Sequence, residues 1–322
     1  MSTARLLLPL AALLGLSCSG HDELAESAQT IRGGVAAPDD SNVVAVVNFA
    51  GGHCTGSLIA PQLVLTARHC VADTGGEETQ VVCGQTPFDP PESAGAIWVV
   101  AQPVVTDDPD DYLPVSAIRM PEDLPDDLCG TDVALLVLER PLTGATPLAP
   151  RLDAPVRVGE TYSAVGYGVD TALEERPSGV RQRLDEQAVV CAGASCAETE
   201  VKDNEWVGSG GPCSGDSGGP ALDSEGQVIG VVSRGKFGCK SPVFGDVASR
   251  AAWLRAEAHR VAKRAGREPP SWAPCTEGSC AQGDEAELAS SCALRQPSSS
   301  SGAPFGLALL ALAACRRRAR AR

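Results

Sequence analysis

A chain of 322 residues in which 43% are apolar and 21% charged can fill a sizeable core, which excludes an intrinsically disordered polypeptide. Its 41 acidic against 26 basic side chains leave a net charge of -15, a balance that argues against a nucleic-acid-binding surface. Thirteen cysteines are more than a cytosolic enzyme ordinarily carries, so an oxidising compartment and a disulfide framework are expected.

Residues 1–18 place Arg5 before the apolar run Leu6 to Leu16 and end in small residues around Cys18, the order of a secretory signal and too short to span a membrane. "LLGLSC" is similar to the box of bacterial lipoproteins, with Gly15 where leucine is usual, so plain cleavage and acylation of Cys18 both stay open. Residues 19–30 then form a short propeptide. From Val43 to Val247 the chain alternates short β-rich runs with turn residues: "VVAVVNF", "GSLIA", "LVLTA", "TQVVCG", "AIWVV", "DVALLVL", "TYSAVGYG", "EQAVV", "QVIGVVSRG" and "SPVFGDV". That pattern predicts an all-β sandwich or barrel. Among these runs, Thr106 to Asp127 is acidic and proline-rich; it lacks the D-x-D-x-D-G template of a calcium loop and is expected to be a solvated insertion. One helix is predicted, from Ala248 to Ala265, where Trp253, Leu254, Ala258 and Val261 make an apolar stripe that Gly266 and Pro269-Pro270 stop. Residues 266–304 read as a Cys/Ser/Pro-rich linker, and residues 305–322 as an apolar run with an arginine cluster, shorter than the roughly 20 residues of a membrane span.

"GDSGGP", residues 215–220, contains G-x-S-x-G, and a serine hydroxyl becomes a nucleophile only beside a general base that a third group orients. Of four histidines, His21 lies by the signal and His259 in the predicted helix, leaving His53 and His69. His69 stands in "VLTARHC", where Cys70 could tie back to Cys54; that link closes a loop worth roughly 3 kcal/mol and would hold the base in place. Asp132 opens the apolar run "TDVALLVL", where a carboxylate can be partly buried against an imidazole. The α/β-hydrolases also use G-x-S-x-G, but their order is serine, acid, histidine, and here it is His69, Asp132, Ser217.

In chain order "TARHC", "TDVALLVL" and "GDSGGP" resemble the signature segments of the chymotrypsin-like (trypsin family) serine endopeptidases, over about residues 31–262. The resemblance implies two perpendicular six-stranded β-barrels with the site in the cleft between them. It makes His69 the general base, Asp132 its orienting acid and Ser217 the nucleophile. The N–H groups of Gly215 and Ser217 would form the oxyanion hole, and Ser233 in "VVSRG" would support the buried acid. "QTIRGG" resembles the "IVGG" start of active members, which implies a zymogen whose freed Ile31 ammonium pairs with Asp216. The primary pocket would be built by Gly211, Pro212, Gly235 and Val243, neutral and suited to small or apolar side chains rather than arginine or lysine. Arg234 takes the place of an aromatic residue at the pocket entrance, either turned to acidic substrate groups or solvated. Cys54 with Cys70 and Cys213 with Cys239 match disulfides of the family. The remaining pairings are open in the sequence, with proximity favouring Cys191 with Cys196 and Cys275 with Cys280, and elimination favouring Cys83 with Cys129. The end of the chain, from Cys292 through the spacer to the arginines, resembles the MYXO-CTERM sorting tags of bacterial exported proteins, implying display at or release from the cell surface.

The expectation is therefore an exported serine endopeptidase, residues 31–265, acting through an acyl-enzyme with no metal and no cofactor. Its partners would be protein or peptide substrates and a protein inhibitor, with no nucleic acid, membrane contact only through the terminal signal or tag, and a monomeric state. The competing class, a catalytically silent binding protein on the same fold, requires loss of triad members, and all three are present.

Overall fold

The computed structural model describes residues 34–48, 52–74, 81–122, 124–168, 179–196, 200–236 and 238–274. The expected signal and propeptide, Ile31, Cys18 and the tail with Cys275, Cys280, Cys292 and Cys315 lie outside the described residues.

A two-residue strand, β1 (Val35–Ala36), precedes β2 (Val43–Asn48), β3 (His53–Ala60), β4 (Leu63–Thr66), β5 (Ile97–Val100), β6 (Tyr112–Arg119) and β7 (Ala134–Leu138). The last six close into an antiparallel barrel in the order β2-β3-β4-β7-β6-β5, with Val46 of β2 opposite Val99 of β5. Their β-branched and leucine-rich runs suit a pleated, buried surface, and closure leaves no free edge to pair with another chain. The second half holds β8 (Thr161–Gly166), β9 (Gln182–Ala192), β10 (Glu205–Gly208), β11 (Pro220–Leu222), β12 (Val228–Lys236) and β13 (Lys240–Asp246). These run β9-β10-β13-β12-β11-β8, and β8 pairs back on β9, so this ring of six also closes, while β1 adds to the outside of β9. Trp206 stacks on Phe244 at 4.1 Å and Tyr162 meets both edge-on, an aromatic centre for the second barrel. Two closed antiparallel barrels and a C-terminal helix are the architecture that the sequence led us to expect.

The helix α1 (Ala251–Arg264) follows a single 3-10 turn, Ala248–Arg250. Leu254, Ala258 and Val261 recur at helical spacing and are buried against the main core. Gly266, at φ 61°, ends it: its N–H reaches Lys263 and that of Arg267 reaches Ala262, closing the last turn in a Schellman arrangement. The chain then folds back rather than leaving as a linker. Trp272 donates its indole N–H to the Ile59 carbonyl at 2.9 Å, His259 contacts the Ala273 carbonyl at 2.7 Å, and Ala273 is fully buried.

Three segments differ from the sequence expectation. Residues 81–84 of "TQVVCG" are not a strand; Thr86 bonds Val82 through its hydroxyl, and Val81 packs on a satellite cluster of Ala72, Phe88 and Leu128. The acidic stretch from Thr106 to Asp127 is not wholly a loop but contains β6, because Leu113 and Val115 alternate inward at period two and override the surrounding acids. "EWVG" forms β10, a strand too short for its periodicity to stand out.

Candidate active site

β4 delivers the chain into the short turn Arg68–Cys70, and a disulfide from Cys70 to Cys54 on β3, with Cα atoms 6.0 Å apart, fastens that turn to the barrel. His69 therefore points from a braced turn. Its Nδ1 lies 2.8 Å from Oδ2 of Asp132, and its backbone N–H donates to Oδ1 of the same carboxylate at 2.9 Å. Ser233 on β12, from the other barrel, donates its hydroxyl to Asp132 Oδ2 at 2.6 Å. Asp132 is thus buried and fully engaged, accepting from both barrels. Burial alone would raise its pKa, but the His69 charge and these three hydrogen bonds outweigh that and hold the carboxyl below its ordinary value. For His69 burial pulls down, whereas the charge of Asp132 and its hydrogen bond prevail and raise the imidazole above the usual histidine range.

Ser217 sits in a turn fixed to the first barrel. The Ser217 carbonyl accepts from the Thr55 N–H at 2.7 Å and lies 3.5 Å from Sγ of Cys70, the neighbour of His69. Thr55 further donates its hydroxyl to the Gly215 carbonyl at 2.9 Å, so a single β3 residue clamps both ends of the serine turn. Gly218 has φ 81°, and a Cβ there would come within 2.3 Å of the Thr55 carbonyl oxygen. Gly218→Ala is accordingly expected to cost roughly 3 kcal/mol and to displace the serine, measured as a lower unfolding midpoint together with slower reaction with a fluorophosphonate. The N–H groups of Gly215 and Ser217 have no hydrogen-bond partner among the described residues, while those of Asp216, Gly218 and Gly219 bond backbone carbonyls. Two donors left open side by side on a fixed turn are suited to an anion.

Asp216 is buried, its oxygens accepting from the N–H groups of Gly168 at 2.8 Å and Cys213 at 2.9 Å. Burial pushes its carboxyl up to about 7 against those two donors, and no cation reaches it among the described residues. Gly211 and Pro212 are buried, and the Cys213–Cys239 disulfide joins their segment to the β12–β13 connection, where Gly235 is exposed and Val243 is buried opposite Arg234. Disulfides also link Cys83 to Cys129 and Cys191 to Cys196.

Arg234 differs from both expectations for it. Its guanidinium neither opens to substrate nor stands in solvent; it forms a fork on the buried Glu205, at 2.6 and 2.7 Å. Beside His69 lies a polar cleft of about 200 Å³, lined by Asn48, His53, Asp73 and Glu92, and burial lowers the pKa of His53 so that this second histidine adds polarity rather than charge. Thr55 and Glu205 were not found from the sequence; the one trace of Glu205 is an acid placed directly before the tryptophan of "EWVG".

The Trypsin family model matches residues 31–254, about 70% of the chain. The chain is a trypsin-family serine endopeptidase. The protease is 30% identical to granzyme M of Homo sapiens over 251 residues, spanning 70% of this chain and 88% of that one. It is 29% identical to human kallikrein-2 over 265 residues, 77% and 96% of the two chains, and 27% identical to the thrombin-like enzyme acutin of Deinagkistrodon acutus over 225 residues, 66% and 88%. With four disulfides among the described residues, the protease is built for an oxidising, extracellular-type environment.

Proposed function

We propose that the protease hydrolyses peptide bonds through Ser217, His69 and Asp132. The observation that carries this reading is the buried, doubly bonded Asp132–His69 pair set against the fixed Ser217 turn. His69 takes the Ser217 proton as the hydroxyl oxygen attacks the scissile carbonyl carbon, and the carbonyl electrons move onto oxygen. The open N–H groups of Gly215 and Ser217 receive that oxyanion, a contribution of about 3 kcal/mol to the barrier for one such donor. His69 then passes the proton to the leaving amine, and water repeats the sequence on the acyl-enzyme. Ser233 and the backbone of His69 keep Asp132 ionised throughout. Intact mass spectrometry after a fluorophosphonate tests the assignment: one adduct is expected on the protease and none on Ser217→Ala, and a protein without an adduct would sink it.

The segment of Gly211 and Pro212 and the wall of Gly235 and Val243 supply no carboxylate to a pocket, which favours small or apolar residues before the cleaved bond. In a peptide library, arginine and lysine at that position are expected to be cleaved at least about 100-fold less efficiently. A preference for arginine would refute the assignment.

Activation at Thr30–Ile31 fits the state of Asp216. A buried carboxylate raised to about 7 lacks a cation, and an Ile31 ammonium would supply one. Because the folded pKa is raised above the unfolded one, the contribution of Asp216 to the precursor's stability is complete below about pH 4 and is lost as the pH climbs to about 7, on the order of 4 kcal/mol for this one group. Denaturant titrations of a Ser217→Ala precursor and of the form beginning at Ile31 should differ in this way, with the loss removed in the mature form. Equal pH dependence in both would count against the pair. Thr30 is itself a small residue, so the protease is proposed to activate itself; trimming of the isolated Ser217→Ala precursor at Thr30 would remove that idea. Residues 1–18 are assigned to export and residues 305–322 to surface sorting, with residues up to 274 belonging to the catalytic domain.

A further inference from the structure

Glu205 is buried at the start of β10, and its carboxylate accepts from three residues. Oε1 accepts the Gly130 N–H at 2.7 Å, Oε2 accepts the Lys202 N–H at 2.9 Å, and the Arg234 guanidinium bonds both oxygens. Gly130 lies two residues before Asp132 in a turn that needs φ 81°, and its carbonyl is held in turn by the Asn204 amide at 2.6 Å and by Arg250. The turn that presents the acid is therefore gripped at both its N–H and its C=O. Arg234 also reaches the Ser233 hydroxyl at 3.4 Å, the group that donates to Asp132, and bonds the Glu200 carbonyl. Behind Asp132 the side chains leave a cavity of about 20 Å³, room for one water, between Glu205, Ser233, Asp246 and Arg250. Asp132 is thus held by hydrogen bonds from both barrels beside this small cavity.

We propose that Glu205 and Arg234 are a positioning pair for the reaction: Glu205 sets the turn that aims Asp132 at His69, and the Arg234 fork holds Glu205 in place while bracing Ser233. The pair deepens the Ser217–His69–Asp132 reading and rests on it. A carboxylate this buried requires a cation, and the planar fork of arginine satisfies both of its oxygens at once, which lysine does not do. The carboxylates of Asp132 and Asp73 raise the His69 pKa and the guanidinium of Arg234 lowers it, while Glu92 and His53 line the cleft on its other side.

The test is an NMR titration of His69, one of four histidines, in the full chain carrying Ser217→Ala. Removing the cation with Arg234→Met should raise the His69 pKa, whereas Glu205→Gln, which leaves the guanidinium uncompensated, should lower it. Arg234→Lys keeps the charge without the fork and covers, through its kcat, the case in which methionine is not tolerated. In the active enzyme, Glu205→Gln and Arg234→Lys are each expected to lower kcat roughly 10- to 100-fold with KM little changed. A His69 titration unmoved by both Arg234→Met and Glu205→Gln would overturn the proposal, as would unchanged kcat in both Glu205→Gln and Arg234→Lys. Fluorophosphonate labelling of the wild type tests the triad separately, so a failed triad and a failed pair give different results.

Discussion

Asp132→Asn will lower kcat/KM at neutral pH about 10⁴-fold while leaving the fold in place. The carboxylate makes three bonds, to the His69 backbone N–H, to His69 Nδ1 and from the Ser233 hydroxyl. An asparagine amide can keep the backbone bond through its oxygen only by turning its NH2 toward Nδ1. The imidazole must then accept at Nδ1 and carry its proton on Nε2, the nitrogen that has to take the Ser217 proton. The variant has the right atoms in the wrong tautomer. Its pH profile should move as well. The proposed reaction requires neutral His69, so kcat/KM falls as the pH drops through the His69 pKa; the Asp132 charge and hydrogen bond hold that pKa up, and without them burial prevails. The acid limb is expected at lower pH in the variant, measured with an ester substrate. A loss of less than tenfold would remove Asp132 from the mechanism.

Arg181→Met should be the most damaging single change to stability, roughly 4 kcal/mol or more. Arg181 is 1% exposed and meets no carboxylate among the described residues. Instead its guanidinium donates to the carbonyls of Ala37 at 2.8 Å, Pro38 at 2.7 Å, Val43 at 3.1 Å and Ala101 at 3.1 Å, and to the Tyr167 hydroxyl at 2.9 Å. These acceptors come from the segment after β1, from β2 and from the exit of β5, so one side chain holds the entry strand and the first barrel to the second. Methionine fills much of the volume but supplies no donor: the Val43 carbonyl keeps the Tyr167 hydroxyl at 3.3 Å and that of Ala37 the Asp40 N–H at 3.4 Å, while those of Pro38 and Ala101 lose the guanidinium bonds. On a domain of this size the midpoint of thermal unfolding should fall by about 10 °C or more, read in the Ser217→Ala background to prevent self-digestion. A cost below about 1 kcal/mol would mean that water replaces the guanidinium and that the bridge is not structural.

The sequence by itself determined the fold class and supplied the residues of the proposed catalytic constellation. The proposed nucleophile, base and acid each sit in a short local segment, "GDSGGP", "TARHC" and "TDVALLVL", whose residue types and order point to that chemistry, and the alternating β-rich runs with one terminal helix fit two barrels. What only the tertiary structure decided is every partnership between residues distant in the chain. β6 was hidden because its acidic flanks outweigh the inward alternation of Leu113 and Val115 in composition though not in space. Arg181 and Arg234 look like surface charges in "VRQR" and "VVSRG", and in the fold one is wrapped in carbonyls while the other is locked on Glu205. Thr55 gives no sign in sequence that it will grip the Ser217 turn, 162 positions later. The physical reason is common to all of these: a hydrogen bond between distant segments leaves no periodic pattern in the sequence, and whether a polar side chain is paired or solvated depends on what the closed barrels bring against it.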